Sequence, residues 1–578
     1  MKSIMREEYP RPQFARGSFL NLNGDWEFSF DTDTFDRSIT VPFVYQSKLS
    51  GIGDRSSHDT VWYRRRFSLP ADMQGKKIII NFGAVDYSCE VRLNGQLIGT
   101  HTGGHISFKF DITGAVRQTD NELVLKVNDV CADMEMPRGK QIWKEKSEGI
   151  FYTPSTGIWQ TVWIEAVSST ALESVFITPD LDTHSVHFTY KVTGSGHAEL
   201  TTDISFEGKH IVKTVVAPEH ETGSFSVHLE QQILLDWNFG EDLVWTPERP
   251  RLFDVVFTVS VNGKETDRVT SYFGMRKVSV ENGQFMLNNR PYYQKLLLDQ
   301  GYWPESLLTA PEDAAFVRDI TLAKSMGFNG VRKHQKIEDP RFLYHADKIG
   351  FLVWGEFPAA YVYSRTYLLR ITDEWIAELS RDYNHPSIVA WTPLNESWGV
   401  PQIKDRKDEQ AHSAAMVYLT KSFDQTRPVI SNDGWEQTCP DMLTIHDYES
   451  SRKILLERYR SMESILSFIP GGRMLFAHGW SYKGQPVLVT EFGGISYKKG
   501  EQEGWGYSAA KDDGDFARRL YDVVSPLRES PFVRGYCYTQ LTDVEQEING
   551  LCTAGREPKI NPEIIKAIND GTWTPESK

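Results

Sequence analysis

Cysteine is scarce here, and what there is has no instructive arrangement. Cys89, Cys131, Cys439, Cys537 and Cys552 are an odd number, scattered through 578 residues without a CxxC step. Neither a disulfide framework nor a cysteine zinc site is signalled, and a reducing compartment is expected. Long apolar runs are missing as well: nothing reaches the roughly 18 residues that a membrane helix needs. The first residues, MKSIMREEYPRPQF, lack the apolar stretch of a signal peptide. The expectation is a cytoplasmic protein with no membrane partner. Basic charge is in deficit, with 63 Lys and Arg against 78 Asp and Glu, a formal net charge of −15 and a pI near 5.6. That balance argues against nucleic acid as a partner. No HxH or HExxH spacing occurs, so no metal and no cofactor is expected. Repeats and low-complexity tracts are absent too, which sets solenoids and disordered tails aside.

Aromatic residues are plentiful, at 12% with 16 Trp. Rings of this kind stack on the C–H faces of sugars, which suits a carbohydrate partner, although a large core uses them equally well. The length calls for about three domains. From Asn21 to about Val167 the text is short strands and turns, with Asn94-Gly95 marking a two-residue hairpin, as in a jelly-roll β-sandwich. Residues 168–273 repeat that style over the length of an immunoglobulin-like β-sandwich, with Asn262-Gly263 as another hairpin. From residue 274 to 578, short apolar runs alternate with helical patterns. Eight strands can be counted (YYQKLLL, FNGVR, FLVWGE, SIVAWTPLNE, RPVISND, MLTIHDY, VLVTE and VRGYCYTQ), and all but the last are followed by a segment of their own. This is the pattern of a (β/α)8 TIM barrel, whose chemistry collects at the strand C-termini. The expected fold is therefore multidomain: 1–167 jelly roll, 168–273 immunoglobulin-like sandwich, 274–578 barrel.

Two of those strand ends carry acids. Ser387 to Gly399 reads SIVAWTPLNESWG, placing Asn395 and Glu396 where a buried strand stops, and Pro486 to Gly494 reads PVLVTEFGG, which ends on Glu491. A pair of carboxylates on one rim of a barrel is the equipment of a glycosidase. Asp299 and Gln300 close the first strand, Glu356 the third, and His446 and Tyr448 the sixth. With His334 these are candidate contacts to sugar hydroxyls, and Trp480 and Trp505, with Trp303 and Trp354, are candidate walls. A turn or cap role for Asp299 and core roles for the tryptophans compete with those readings.

With Gly103-Gly104-His105, PSTGIWQTVWIE, the LNE of strand four and the TEFGG of strand seven, the whole chain resembles glycoside hydrolase family 2. That family includes β-galactosidases, β-glucuronidases and β-mannosidases. The resemblance implies that Glu396 is the acid/base, Asn395 the partner of the sugar 2-hydroxyl and Glu491 the nucleophile of a retaining reaction. It also implies that Arg332 holds the nucleophile, with Tyr448 placed to donate to it. Two departures bear on the sugar. Many β-galactosidases of the family carry Ser-His-Tyr-Pro after the barrel arginine, where this chain has Lys333-His334-Gln335-Lys336. Typical β-glucuronidases read the uronate with an Asn-x-Lys motif in a late barrel loop, whereas the only one here is Asn262-Gly263-Lys264.

Lys333 is accordingly expected to pair with a substrate carboxylate. The expected activity is an exo-β-glycosidase for terminal galactose-configured sugars, best in the uronic acid form (β-galacturonide or β-glucuronide). A neutral β-galactosidase is the alternative, and a carbohydrate-binding protein on an inactive hydrolase scaffold is the alternative of another class. Nothing marks a surface for self-association, so a homo-oligomer is left open.

Overall fold

The computed structural model describes residues 6–194, 198–229, 243–499 and 503–575. The N-terminal sandwich packs a four-stranded sheet against a six-stranded one, all antiparallel. Its strands alternate as a half-buried sheet requires; along Asn121–Asn128 every second residue is buried. The Asn94-Gly95 step turns with both residues at positive φ (53° and 83°), so that Leu93 pairs with Gln96. In the second sandwich, Ala171–Asp180, Ser185–Thr193 and Thr222–His228 face the sheet built on Ala198–Phe206, Phe253–Val261 and Lys264–Phe273. Asn262-Gly263 makes the corresponding hairpin, at φ 52° and 74°.

Seven parallel strands form the barrel sheet: Gln294–Asp299, Gly330–Lys333, Leu352–Glu356, Ile388–Thr392, Leu443–Asp447, Val487–Gly493 and Val533–Thr539. The stretch 428–433 closes it. Ile430 N–H donates to Trp391 O (2.9 Å), Asp433 N–H to Leu394 O (2.9 Å), and Asp441 N–H to Val429 O (2.9 Å). Below the first strand, the small sheet Val278–Glu281, Gln284–Leu287 and Arg290–Pro291 plugs the barrel floor, with Phe285 and Leu287 packed under Leu296 and Leu352. The sequence pattern gave no hint of this plug. The last strand is also followed by a helix, Pro562–Asp570, begun by an Asn561 cap and a proline at its first position, where none was expected. Between the strands Leu443–Asp447 and Val487–Gly493 lie two short helices, Arg452–Arg458 and Met462–Ser467.

Strand alternation sorts side chains into two layers. Leu296, Leu298, Leu352, Trp354 and Leu488 fill the lumen, while Leu297, Val331, Val353 and Val489 lie beneath the helices. Arg332 belongs to the first layer and Lys333 to the second.

The N-terminal sandwich docks on the barrel through Gly103-Gly104-His105. The Tyr87 hydroxyl donates to Glu374 (3.0 Å) on the helix Arg365–Asp382, and the Gly103 backbone packs against that side chain. Burial pushes the Glu374 pKa up to about 8. Glycine is required at Gly104 because a Cβ there would sit 2.3 Å from Asp86 Oδ1.

Candidate active site

At the C-terminal mouth of the barrel, Glu396 and Glu491 face each other. One oxygen of each and a ring nitrogen of His446 all lie within 4.8 Å of one another. Glu396 and Ser397 occupy the left-handed region (φ 53° and 60°), which costs about 1 to 3 kcal/mol per residue and persists only where neighbours impose it. Here they do. Glu396 N–H donates to Asp433 O (3.0 Å), Ser397 N–H to Asn432 Oδ1 (2.9 Å), and Ser397 Oγ to Glu436 Oε2 (2.7 Å). Glu491 owes its direction to a register irregularity between Val489 and Phe492. Leu488 and the Thr490 hydroxyl already face the lumen side, so strict alternation would send Glu491 outward; the irregularity turns it in.

Arg332, fully buried, ties the mouth together. Its Nη1 lies 3.4 Å from Glu491 Oε1 and donates to Thr490 O (2.6 Å). Its Nη2 reaches Glu356 (2.9 Å), Asp433 (2.6 Å) and Asn395 Oδ1 (3.2 Å). Tyr448 donates to Glu491 Oε2 (2.6 Å), and its ring stacks on Tyr507 at 3.5 Å. His334 Nδ1 lies 2.9 Å from Glu356 and 3.9 Å from Glu491. Asn395 is buried with its amide nitrogen lacking a partner, a donor free for a ligand hydroxyl.

His446 contacts three carboxylates: Glu396 (2.8 Å) and Glu491 (3.6 Å) through Nδ1, and Asp433 (3.1 Å) through Nε2. Burial alone would lower its pKa, but Glu491, Asp433 and Glu396 outweigh that and raise it to about 10. Burial likewise works to raise the Glu396 pKa. His446 above all, then Lys140 and His334, overcome it and hold that carboxyl below its ordinary value. In the unliganded site, then, the shared proton rests on the imidazole.

Several expected residues lie elsewhere. Lys333 is turned away from the mouth: its ammonium is held between Asp299 and Glu338, 2.7 Å from each, above the ring of Phe342. The reason is strand alternation, which gives the lumen to Arg332 and the helix layer to its neighbour. Asp299, paired in register with Lys333, also faces outward and accepts from Gly301 N–H (2.8 Å) in a turn. Both side chains face the helix layer rather than the mouth. Gln300 donates to Gln540 (2.9 Å), at the start of a chain that runs through Asn549 to Glu547 and the Tyr152 hydroxyl. Trp480 bonds Gln410 (3.3 Å) on the helix Lys407–Phe423 and borders an outer cavity with Phe468 and Phe476, so it does not wall the mouth. Trp505 meets Tyr507 edge-on at 5.4 Å and is the expected tryptophan that stands at the rim. Trp354 lies deep in the lumen, bonded to Gln294, while Trp303 is packed between Lys336 and Arg556.

Asp433, Tyr507 and Lys140 went unnoticed in the sequence. Asp433 ends the fifth strand, and its position there was the available signal. Lys140 arrives from the N-terminal sandwich, where no barrel pattern could point to it.

Comparison with known proteins agrees with this architecture. Three family models match in succession: the glycosyl hydrolase 2 galactose-binding domain-like model over residues 38–153, glycosyl hydrolases family 2 over 170–276, and the family 2 TIM barrel domain over 278–498. A beta-galactosidase of Thermoanaerobacter pseudethanolicus is 26% identical over 417 residues, 71% of this chain and 53% of the relative. A putative beta-glucuronidase of Formosa agariphila is 24% identical over 442 residues, 73% of this chain and 51% of the relative. The chain thus spans about half the length of these curated relatives. The crystal structure of a GH2 beta-galacturonidase from Eisenbergiella tayi, bound to glycerol, superposes over 100% of both chains with a TM-score of 0.76 at 18% identity, a likeness of fold. Together, the three matching models and the order of the three modules make this chain a member of glycosyl hydrolases family 2.

Proposed function

We propose that this protein is a retaining exo-β-glycosidase that removes a terminal galactose-configured sugar, as the uronic acid or the neutral hexose. The observation that carries this reading is that one oxygen of Glu396 and one of Glu491 lie within 4.8 Å of each other, across the barrel mouth. Retaining enzymes hold their carboxyls about 5 to 5.5 Å apart, whereas inverting enzymes need roughly 6.5 to 9.5 Å to admit a water. In this mechanism Glu491, oriented by Tyr448 and Arg332, attacks the anomeric carbon and forms a glycosyl ester. Glu396 gives its proton to the departing oxygen and then takes one from the water that hydrolyses the ester. That proton has only to cross the 2.8 Å hydrogen bond from His446. The unpartnered Asn395 amide supplies the donor for the 2-hydroxyl.

A panel of nitrophenyl β-galactoside, β-galacturonide, β-glucuronide and β-mannoside tests the reading, with turnover of a galactose-configured member expected. If none is turned over although the sugars bind, the carbohydrate-binding alternative takes its place. Chelator treatment should leave the rate unchanged, since the chemistry assigned here uses side chains alone.

A further inference from the structure

Four lysines are buried among the described residues: Lys140, Lys333, Lys336 and Lys559. Three are fully engaged. Lys333 holds Asp299 and Glu338; Lys336 donates to Gly301 O, Leu308 O and Glu338; Lys559 donates to Asp543 and Ile548 O. The ammonium of Lys140, a residue 7% exposed, has no hydrogen bond and no carboxylate within ion-pair distance among the described residues. Its ammonium instead lies over the rings of Phe151 (5.7 Å) and Tyr152 (5.9 Å), and its charge acts on Glu396. An ammonium with no carboxylate partner, carried on a stem that is packed away, keeps its hydrogen-bonding capacity for solvent or a ligand.

The loop that carries Lys140 is built to hold it at the barrel mouth. Arg138 and Gly139 N–H groups both donate to Ala359 O (3.0 Å), just beyond the strand Leu352–Glu356, and the Tyr361 hydroxyl donates back to Gly139 O. Gly139 sits at φ 61°, and a Cβ there would meet Gln335 O at 2.2 Å, so only glycine allows this approach. On the far side, Tyr152 N–H donates to Lys140 O and Ile142 N–H to Tyr152 O, each at 2.9 Å. Gln141 bonds Asp86 (2.8 Å) and accepts from Ser155 N–H (2.6 Å). Trp143, Phe151, Tyr361 and Trp398 interlock around it with ring centroids 4.8 to 6.0 Å apart.

We propose that Lys140 is the specificity residue for an acidic sugar, its ammonium binding the carboxylate of a β-linked hexuronic acid seated between Glu396 and Glu491. This rests on the glycosidase reading of the same site and narrows its substrate class. To act as an acid Glu396 must be protonated, which removes the carboxylate charge on which the Lys140 ammonium acts. A uronate restores the balance and accepts the ammonium's hydrogen bonds, whereas a neutral hexose leaves that charge uncompensated. Lys140 thus takes the part expected of Lys333, from a different domain.

The test compares wild type, Lys140→Met and Lys140→Arg on nitrophenyl β-galacturonide, β-glucuronide and β-galactoside. Any effect of Lys140 on Glu396 is common to all three substrates, so the ratio of kcat/KM between uronide and galactoside isolates the carboxylate contact. In Lys140→Met that ratio should fall about tenfold to a hundredfold, and Lys140→Arg should recover part of it. An unchanged ratio, or a wild type that prefers the galactoside, overturns the proposal. Calorimetric binding of free galacturonate and galactose to the same proteins separates this proposal from the glycosidase reading. If galacturonate binds more tightly in a Lys140-dependent way while no glycoside is cleaved, the specificity residue stands and the catalytic reading falls. Equal binding of the two sugars to wild type and Lys140→Met removes the specificity residue whatever the turnover.

Discussion

Arg332 and Lys333 are consecutive residues of one strand, and each is the centre of a buried ionic cluster, yet the two clusters are built to opposite ends. Around Lys333 the charges balance and close: Lys333 and Lys336 face Asp299 and Glu338, all at 4% exposure or less. Burial is opposed there by pairing, which keeps Glu338 and Asp299 below the ordinary carboxylate range. Around Arg332 the charges do not balance. One guanidinium meets Glu356, Asp433 and Glu491, His446 is recruited as a second cation, and the Asn395 amide is left open. A closed cluster is a fastener between a barrel strand and the helix layer. An open one has bonding capacity to give to a ligand, and such unfinished networks gather where chemistry is done.

The largest effect that would separate the two clusters comes from the open one. Glu491→Gln should lower kcat/KM at least about a thousandfold, because the attacking oxygen is lost. Glu396→Gln should cost about 10² to 10⁴-fold on glycosides with poor leaving groups and far less on activated aryl glycosides, which need little protonation. Both proteins should stay folded. Substantial turnover by Glu491→Gln, or an equal loss on both leaving groups by Glu396→Gln, would reassign the roles.

Next in size is the closed cluster. Lys333→Met leaves Asp299 and Glu338 buried with reduced compensation and should destabilise the fold by about 3 to 5 kcal/mol in denaturant unfolding. Its uronide to galactoside ratio of kcat/KM should match wild type. A selective loss on uronides would return Lys333 to the substrate and erase the distinction between the clusters.

The smallest effect is a pH dependence. The His446 pKa is raised from 6.5 to about 10, so its charge contributes stability that is complete below about pH 6.5 and is lost as pH rises through about 10. Activity that draws on its proton should decline over the same alkaline limb. In His446→Asn that limb should vanish from the kcat/KM profile, and the difference in Tm from wild type should narrow between pH 6 and pH 10. A limb that survives the substitution belongs to another group.

The comparison also marks how far the sequence could be read. Barrel alternation, hairpin steps at Asn94-Gly95 and Asn262-Gly263, and acids at strand ends are local patterns, and they pointed to Glu396, Glu491 and Tyr448 at strand ends, whereas Arg332 came from the resemblance to the family. Which face of a strand a polar residue takes is not local. Lys333 follows a lumen residue, and its outward turn is plain only once Leu296, Leu298 and Trp354 are seen inside. Lys140 lies more than 190 positions before Arg332 and reaches the mouth through the docking of one domain on another, for which no spacing rule exists. Glu491 points inward through a register irregularity that alternation cannot foretell.

The central claim, that Glu491 and Glu396 work by double displacement, is tested most directly by the configuration of the first-formed sugar. Proton NMR during hydrolysis of the best nitrophenyl β-glycoside, read before the product equilibrates, should show the β anomer appearing first. An α anomer appearing first would mean that water attacks directly, and the assignment of Glu491 as nucleophile would be wrong.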